Sequence, residues 1–254
     1  MKACNLLSRF GNILTKQVVI LFLATFPIAL FGQDKQPKKS TPIWIGINFS
    51  PDYSFRSLTN KDGSSSTDAV IKNRNSIEIA KFGFTTGIDL CIDLSKSLAI
   101  ETGIQFSNKG YKTKMLDLLF SQPDPALPIN ASFQYSYQYV GIPVMAKFSP
   151  GKNKLHFIYG IGFMTNILVH QKVNVKQGYP GGRKDEKSQS STSDYKKIDI
   201  SPMISFGLDY TINKKLHLIA EPVFRYGVIK TRDAPVTEHL WSAGFNCGMY
   251  YRVR

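Results

Sequence analysis

The chain has 254 residues, a formal net charge of +14 at pH 7 and a mean hydropathy of −0.15. This length fits one barrel-sized domain or two small ones. The hydropathy excludes a protein built from several transmembrane helices, which would be far more apolar.

The first 32 residues have the composition of a secretory signal peptide. Lys2, Arg9 and Lys16 form a basic segment, and an apolar segment of 14 residues follows at 18–31. That run is shorter than the roughly 20 residues of a membrane-spanning helix, and a polar break follows it. The sequence therefore predicts a signal peptide at 1–32, a periplasmic linker at 33–42 and a domain at 43–254. An uncleaved N-terminal anchor is the alternative.

Eight segments of the exported part alternate between two classes of residue and are rich in aromatic and β-branched side chains, as strands are. Each exceeds the roughly 9–11 residues with which a tilted strand crosses a bilayer. The segments are Ile43–Phe55, Phe82–Leu94, Leu98–Lys112, Phe133–Phe148, Leu155–Val169, Ile198–Tyr210, Leu216–Ile229 and Leu240–Val253.

The phase of the alternation indicates which face of each strand would contact lipid and which would face the barrel interior. In the second segment Phe82, Phe84 and Ile88 share one face, whereas Thr85 and Asp89 share the other. Bulky apolar residues would fill the interior of a soluble barrel, but they cover the outside of a barrel that spans a bilayer. The small and charged residues on the second face therefore favour a membrane barrel. A soluble β-sandwich is the alternative.

The connections alternate between short and long, which is typical of outer-membrane barrels with short periplasmic turns and long external loops. The short ones are Ser95–Ser97, Ser149–Lys154 and Asn213–Lys215, and the long ones are Arg56–Lys81, Thr113–Ser132, Gln171–Lys197 and Thr231–His239. Together with the strand lengths, they predict an all-β, eight-stranded, antiparallel up-and-down transmembrane barrel.

The fourth segment departs from simple alternation. Its tyrosines, Tyr135, Tyr137 and Tyr139, occupy one phase, and the apolar residues from Val140 onward occupy the other. A bulge near Tyr139–Pro143 would bring them to one face. Alternatively, the tyrosines stand above the membrane and face inward or join an aromatic girdle.

Several short motifs resemble the PorT-like outer-membrane β-barrel family of Bacteroidetes-type bacteria. They are Thr86–Ile88, Glu101–Tyr111, Tyr139–Val144 and Ser205–Tyr210. The resemblance spans Ile43 to Arg254 and implies a barrel in the outer membrane whose role is poorly defined. The chain departs from the pattern at Gly141, where the family often has an acidic residue. It also departs at Arg254, where many such barrels end in an aromatic residue that acts as an insertion signal. Tyr250 or Tyr251 would serve as that signal instead.

Charged residues occupy the inward phase of the predicted barrel. Eight strands enclose a space just wide enough for side chains, and buried charges there need partners. We therefore expect a lumen plugged by side chains, with a proton or ion path as the alternative. The expected ion-pair network comprises Asp89, Asp93, Glu101, Lys109, Asp209, Glu221, Arg225 and Arg252, with Lys147 also inward.

The third long loop is basic. It contains a candidate anion-binding set of Lys172, Lys176, Arg183, Lys184 and Lys187. Such groups could bind the phosphates of lipopolysaccharide, or they could be merely solvated. Expected partners are therefore outer-membrane lipid, including lipopolysaccharide, and an unidentified protein. A nucleic-acid partner is not expected, because no nucleic-acid-binding module is recognisable.

No catalytic constellation, metal signature or cofactor motif emerges from the sequence. His170 and His239 lie near predicted strand ends, where Asp194 or Asp233 could approach them, but spacing alone does not define a triad. The sequence thus predicts a non-enzymatic barrel with a structural or interaction role. A small porin or a transport or secretion accessory is the alternative, and a lipid-modifying or proteolytic barrel is a third.

Overall fold

The computed structural model describes residues 41–122, 124–151, 153–190 and 194–253. The predicted signal peptide and nearly all of the linker lie outside them. Within these residues one helix, α1 (Ser65–Ile77), and a 3₁₀ turn (Pro180–Gly182) accompany ten strands. The strands are β1 (Ile43–Asn60), β2 (Glu78–Asp93), β3 (Leu98–Thr113), β4 (Leu116–Asp117), β5 (Asn130–Phe148), β6 (Leu155–Gly178), β7 (Lys184–Ser190), β8 (Ile198–Asn213), β9 (Leu216–Tyr226) and β10 (Val236–Arg252).

The strands form one antiparallel sheet in the order β4-β5-β3-β2-β1-β10-β9-β8-β6-β7, and an additional β5–β6 pairing closes it into a ring. Closure leaves no unpaired edge within the ring. The short strands β4 and β7 lie outside the ring, paired with one end of β5 and of β6. The antiparallel up-and-down architecture agrees with the sequence prediction, but a count of eight strands is too low for the sheet, which has ten.

Most strands run farther than predicted at the end with the long connections, which we call the loop end, but β9 stops at Tyr226, short of the predicted Ile229. The opposite end, with the short connections 94–97, 149–154 and 214–215, is the turn end. β1 continues to Asn60, and β6 continues to Gly178. The prediction of loops at Arg56–Lys81 and Gln171–Lys197 was therefore wrong over much of their length. Strand pairing continued there in polar sequence, of β1 with β10 and of β6 with β5 and β7, since backbone hydrogen bonds do not require an apolar face.

Helix α1 was not predicted, because it lies within Arg56–Lys81, which was assigned to a long loop. Ser64 is its N-cap, and the hydroxyl of Ser64 accepts a hydrogen bond from the Thr67 N–H at 3.2 Å. Asp68 in the first turn and Arg74 in the last complement the helix dipole. The serine before an acidic first turn was a usable signal for a helix start.

Exposure alternates along the strands as the sequence indicates. On β6, Phe157 and Ile161 are exposed by 62% and 67%, whereas the intervening Ile158 is exposed by 3%. Tyr137 and Tyr139 are buried and inward, so the tyrosine phase of the fourth segment belongs to the interior. The nearby bulge lies on β6, where Val169 is the extra residue between partners of Gln138 and Tyr139.

Candidate functional site in the barrel interior and at its mouth

A cluster near the turn end surrounds Lys147 of β5. The Lys147 Nζ lies 2.5 Å from Glu221 Oε1 and 3.6 Å from Glu101 Oε1, and all three side chains are buried. The Tyr250 hydroxyl donates to Glu101 Oε2 at 2.9 Å and lies 3.2 Å from Asp89 Oδ2. Three carboxylates thus share one ammonium group and neutral hydrogen-bond donors. Removal of that ammonium would leave buried charge uncompensated.

A second level of the interior lies closer to the loop end and centres on Asp52. Arg225 Nη1 lies 3.2 Å from Asp52 Oδ1, and the hydroxyls of Ser50 and Thr85 donate to the same carboxylate at 2.7 and 2.5 Å. Lys109 lies over the ring of Tyr139, 5.9 Å from its centroid. Within the described part of the chain, no carboxylate lies within 4 Å of Lys109 Nζ.

The remaining predicted lumen residues lie at the turn end. Asp93 accepts a hydrogen bond from the indole N–H of Trp44 at 2.9 Å, and the guanidinium of Arg252 lies over the Trp44 ring at 5.8 Å. Asp209 contacts His217 Nδ1 at 2.9 Å and His156 Nε2 at 3.5 Å. The eight predicted residues are therefore distributed over three levels. Phase in the sequence gives the face of a side chain but not its height along the barrel axis.

The loop end holds a charged cluster that the sequence analysis missed. Arg56 Nε donates to Glu78 Oε2 at 2.6 Å, and Arg74 of helix α1 donates to Glu78 Oε1 and Glu238 Oε2, both at 2.7 Å. Arg56 Nη1 also donates to Asn75 Oδ1 at 2.6 Å. Arg56 and Glu78 had been assigned to a loop, although Arg56 continues the inward alternation of β1.

This mouth cluster fixes helix α1 over the barrel. Burial by itself would lower the pKa of the Arg74 guanidinium, but the hydrogen bonds to Glu78 and Glu238 outweigh it and raise the pKa above its usual range. Arg74 therefore stays charged, and its two carboxylate partners come from β2 and β10. The last turn of the helix is thereby tied to two strands.

A cavity of about 590 Å³ opens beside this cluster. Four tyrosines line it. Tyr111 and Tyr135 are stacked with their ring centroids 4.8 Å apart, and Tyr137 and Tyr195 meet edge to face at 5.5 Å. The rest of its wall comes from α1, from Glu78 at the start of β2, and from residues within 232–236, which lead into β10. Its size is within the range of small-molecule sites in proteins.

The basic residues of the predicted anion-binding loop lie on the regular β6–β7 hairpin. Residues directly opposite each other on antiparallel strands share a face. Gln171 pairs with the inward Tyr137, so Lys172, Lys176 and Lys184 lie on the outward face of the hairpin. Lys187 pairs with Val175 and therefore lies on the inward face. Arg183 lies over the Tyr179 ring at 4.0 Å. The five are therefore not gathered at one point.

The candidate catalytic histidines are not in a triad. His170 Nε2 lies 3.2 Å from Ser190 Oγ, and His239 Nδ1 lies 3.1 Å from the Gly227 carbonyl. Asp233 pairs instead with Lys196 and Lys230. Among the described residues, no carboxylate is within 4 Å of either histidine and no group of three His, Cys, Asp or Glu could hold a metal ion.

Cys91 and Cys247 are both free. They lie on β2 and β10, the two neighbours of β1, and are opposite Trp44 and Phe49 of β1, respectively.

Among the described residues, no helix has the length and apolar character needed to cross a membrane.

Comparison with known proteins gives one family match. A family model described as outer membrane protein beta-barrel domain matches residues 31–232. Among curated proteins, none matches the chain.

Solved structures of outer-membrane proteins resemble the fold. Neisserial surface protein A (NspA) is 12% identical with a TM-score of 0.44, and the match covers 82% of this chain and 96% of NspA. OprG of Pseudomonas aeruginosa is 12% identical with a TM-score of 0.43, covering 87% and 100%. The protease OmpT of Escherichia coli is 8% identical with a TM-score of 0.44, covering 85% and 99%. These similarities are too weak to transfer a function.

Proposed function

Because the chain belongs to the outer membrane protein beta-barrel domain family, we propose that it is a non-enzymatic outer-membrane barrel with a structural or interaction role. Family membership supports location in the outer membrane. In this proposal residues 1–32 direct export, the eight-membered ring of strands spans the bilayer, and the lumen is plugged by polar side chains. The loop end faces outward and carries the surface that binds a partner.

The inverted distribution of polarity carries the proposal. Charged residues such as Asp52, Glu101 and Lys147 are exposed by 1%, 3% and 6%, whereas apolar residues on the other face of the strands are exposed. In water this arrangement would expose a wide apolar surface and bury charge. In a bilayer the apolar face meets lipid, and the buried charges are paired across the narrow lumen.

The lumen favours a plug over a pore. Arg225 with Asp52, and Lys147 with Glu101 and Glu221, link side chains of different strands across the interior. An eight-stranded ring has little room beyond such side chains. A solute path would require these contacts to open, so transport is the less favoured candidate function.

Lipopolysaccharide is the lipid partner that the basic hairpin favours. Ile167 is an exposed apolar residue on the outward face of β6, and Lys172 lies five residues farther toward the loop end. At about 3.3 Å per residue, Lys172 stands some 16 Å along the strand beyond Ile167, where the phosphates of an outer leaflet would lie. Lys172→Gln with Lys184→Gln should reduce co-purifying lipopolysaccharide, whereas Lys187→Gln with Arg183→Gln should not.

Membrane fractionation combined with gel mobility tests the proposal. Recovery in the outer-membrane fraction, with a mobility shift on boiling, is expected of a folded barrel. In planar bilayers the purified protein should form no stable channels of nanosiemens size. Recovery in the soluble periplasm would overturn the barrel's location, and stable large channels would replace the plug with the porin alternative.

A further inference from the structure

The cavity at the loop end has tyrosine rings as its main surface. Tyr111 and Tyr137 are buried at its floor, while Tyr135 and Tyr195 are only partly buried and present their rings to the open space. Tyrosine combines an apolar ring face with a polar hydroxyl. Among the described residues, the Tyr135 and Tyr195 hydroxyls donate no hydrogen bond, so both remain available to a ligand.

The floor of the cavity is held rigidly in place. The Tyr111 hydroxyl donates to Glu238 Oε2 at 2.9 Å and accepts from Arg74 Nη2 at 3.0 Å. The Tyr137 hydroxyl lies 3.3 Å from Glu238 Oε1. Preorganised side chains lower the entropic cost of binding. Arg74 and Glu238 thus hold the rings of Tyr111 and Tyr137 in place at the mouth.

The charged residues that line the cavity favour an anion, because they are two cations, Arg74 and Arg232, and one carboxylate, Glu78. The four charges of the mouth cluster, on Arg56, Arg74, Glu78 and Glu238, cancel one another. Arg232 lies on the rim with an exposed side chain, and within the described part of the chain it makes no ion pair.

The neighbouring carboxylate does not neutralise Arg232. Asp233 is bound by Lys196 Nζ at 2.5 Å and by Lys230. Lys196, Lys230 and Asp233 are two cations and one carboxylate, so together they leave one further positive charge beside the rim. A guanidinium with open donors matches carboxylate and phosphate groups in geometry as well as charge.

We propose that this cavity binds an anionic saccharide, a sugar that carries a carboxylate or phosphate group. Its pyranose ring packs its C–H groups on Tyr135 and Tyr195, because the negative face of an aromatic ring attracts polarised C–H groups. Its anionic group binds Arg232, and ring hydroxyls bond to the tyrosine hydroxyls. The site deepens the proposed function and rests on it, since the loop end must face the outside.

Isothermal titration calorimetry on the full chain, refolded in detergent micelles, tests the site. The probes are digalacturonate, its neutral counterpart galactobiose, and the phosphorylated core oligosaccharide released from lipopolysaccharide. We expect digalacturonate to bind about tenfold or more tightly than galactobiose, the difference a charge-assisted pair to Arg232 would supply. Arg232→Gln should abolish that preference. Arg183→Gln, the same charge change on a remote exposed arginine, should preserve it, and Tyr195→Ala should weaken binding of both disaccharides.

The boiling-dependent mobility shift verifies that every variant is folded. Binding of the core oligosaccharide together with digalacturonate would support the site with the cell's own envelope glycan as ligand, and binding of digalacturonate alone would support it with a free acidic sugar. Equal affinity for digalacturonate and galactobiose, or no binding to a folded wild-type barrel, would overturn the site. Absence of binding to a barrel that is folded in the outer membrane would overturn only the saccharide site, and the proposed location and plugged lumen would still hold.

Discussion

Lys147 Nζ lies 2.5 Å from Glu221 Oε1 inside the barrel and ties together two strands that are not neighbours. Lys147 is on β5 and Glu221 on β9, and β6 and β8 separate those strands around the ring. The contact therefore braces the barrel across its lumen. Its two partners are 74 residues apart in the sequence.

Replacing Lys147 by methionine should destabilise the barrel. Without the ammonium group, Glu101 and Glu221 keep buried charge with no cation beside it, a loss of about 3–5 kcal/mol in the free energy of unfolding. Urea-induced unfolding of the protein refolded into lipid vesicles measures this. Lys154→Met, at an exposed position directly before β6, is the matched control and should change the free energy little. A Lys147→Met variant as stable as wild type would show that the carboxylates are not held as charges.

The outward face of β6 should tolerate charge according to its depth in the bilayer. Ile161 lies in the middle of the apolar face and is exposed by 67%. Ile161→Arg should cost about 2–4 kcal/mol, whereas an arginine near the membrane interface costs about 0–1 kcal/mol. Val253→Arg, at the turn end, serves as the comparison. Equal costs at the two positions in a vesicle-based unfolding titration would contradict a bilayer around this band.

Glu78→Gln should loosen helix α1 from the mouth. The substitution leaves Arg56 and Arg74 without the carboxylate that both contact, and breaking a buried pair on one side costs about 3–5 kcal/mol. Tryptic cleavage after Lys72 or Arg74, followed by mass spectrometry, should become faster. Glu186→Gln, an exposed glutamate on β7, should leave the rate unchanged. Unchanged cleavage in Glu78→Gln would mean that α1 is held chiefly by other contacts.

The link between Asp233 and its two lysines should persist into strong acid. Hydrogen bonds from Lys196 and then Lys230 lower the pKa of Asp233 to about 2, against its usual 3.8. Because the folded-state pKa is depressed, the stabilising contact is complete above the ordinary value and is lost as the pH falls toward 2. A carbonyl-carbon NMR titration should show this midpoint, and Lys196→Met should move it back up. A wild-type midpoint near 3.8 would indicate that the lysines do not hold the carboxylate.

Alternation with a period of two gave a correct face for most side chains. Residues 82–94 and 216–226 segregate as their phases indicate, because successive side chains of a strand point to opposite faces whatever the rest of the chain does. The tyrosines of the fourth segment also belonged to the interior, one of the two arrangements that the sequence left open. The extra residue that disturbs the pairing is Val169 on β6. Because this bulge lies on the partner strand, the alternation of Tyr135–Val140 on β5 could not reveal its position.

The ends of the strands and the mouth could not be read in the same way. Polar stretches such as 56–60 and 171–178 carry no apolar alternation, so they resembled loops although they continue the paired strands β1 and β6. Helix α1 had only a local cap signal at Ser64. The cavity needed Tyr111, Tyr195 and Arg232 from three separate segments, and nothing in their spacing predicted that they would line one space.

The alternation of residues along the chain was enough to predict the antiparallel architecture, the face of most side chains and the polarity of lumen and exterior. These follow from local backbone geometry and from the solvent that each face requires. The folded barrel was needed to show that Lys147 contacts Glu221, that Arg225 contacts Asp52, and that Arg74 holds α1 over the mouth. Such contacts depend on register, strand tilt and closure of the ring, which arise from pairing between distant segments and set the height of each side chain along the barrel axis.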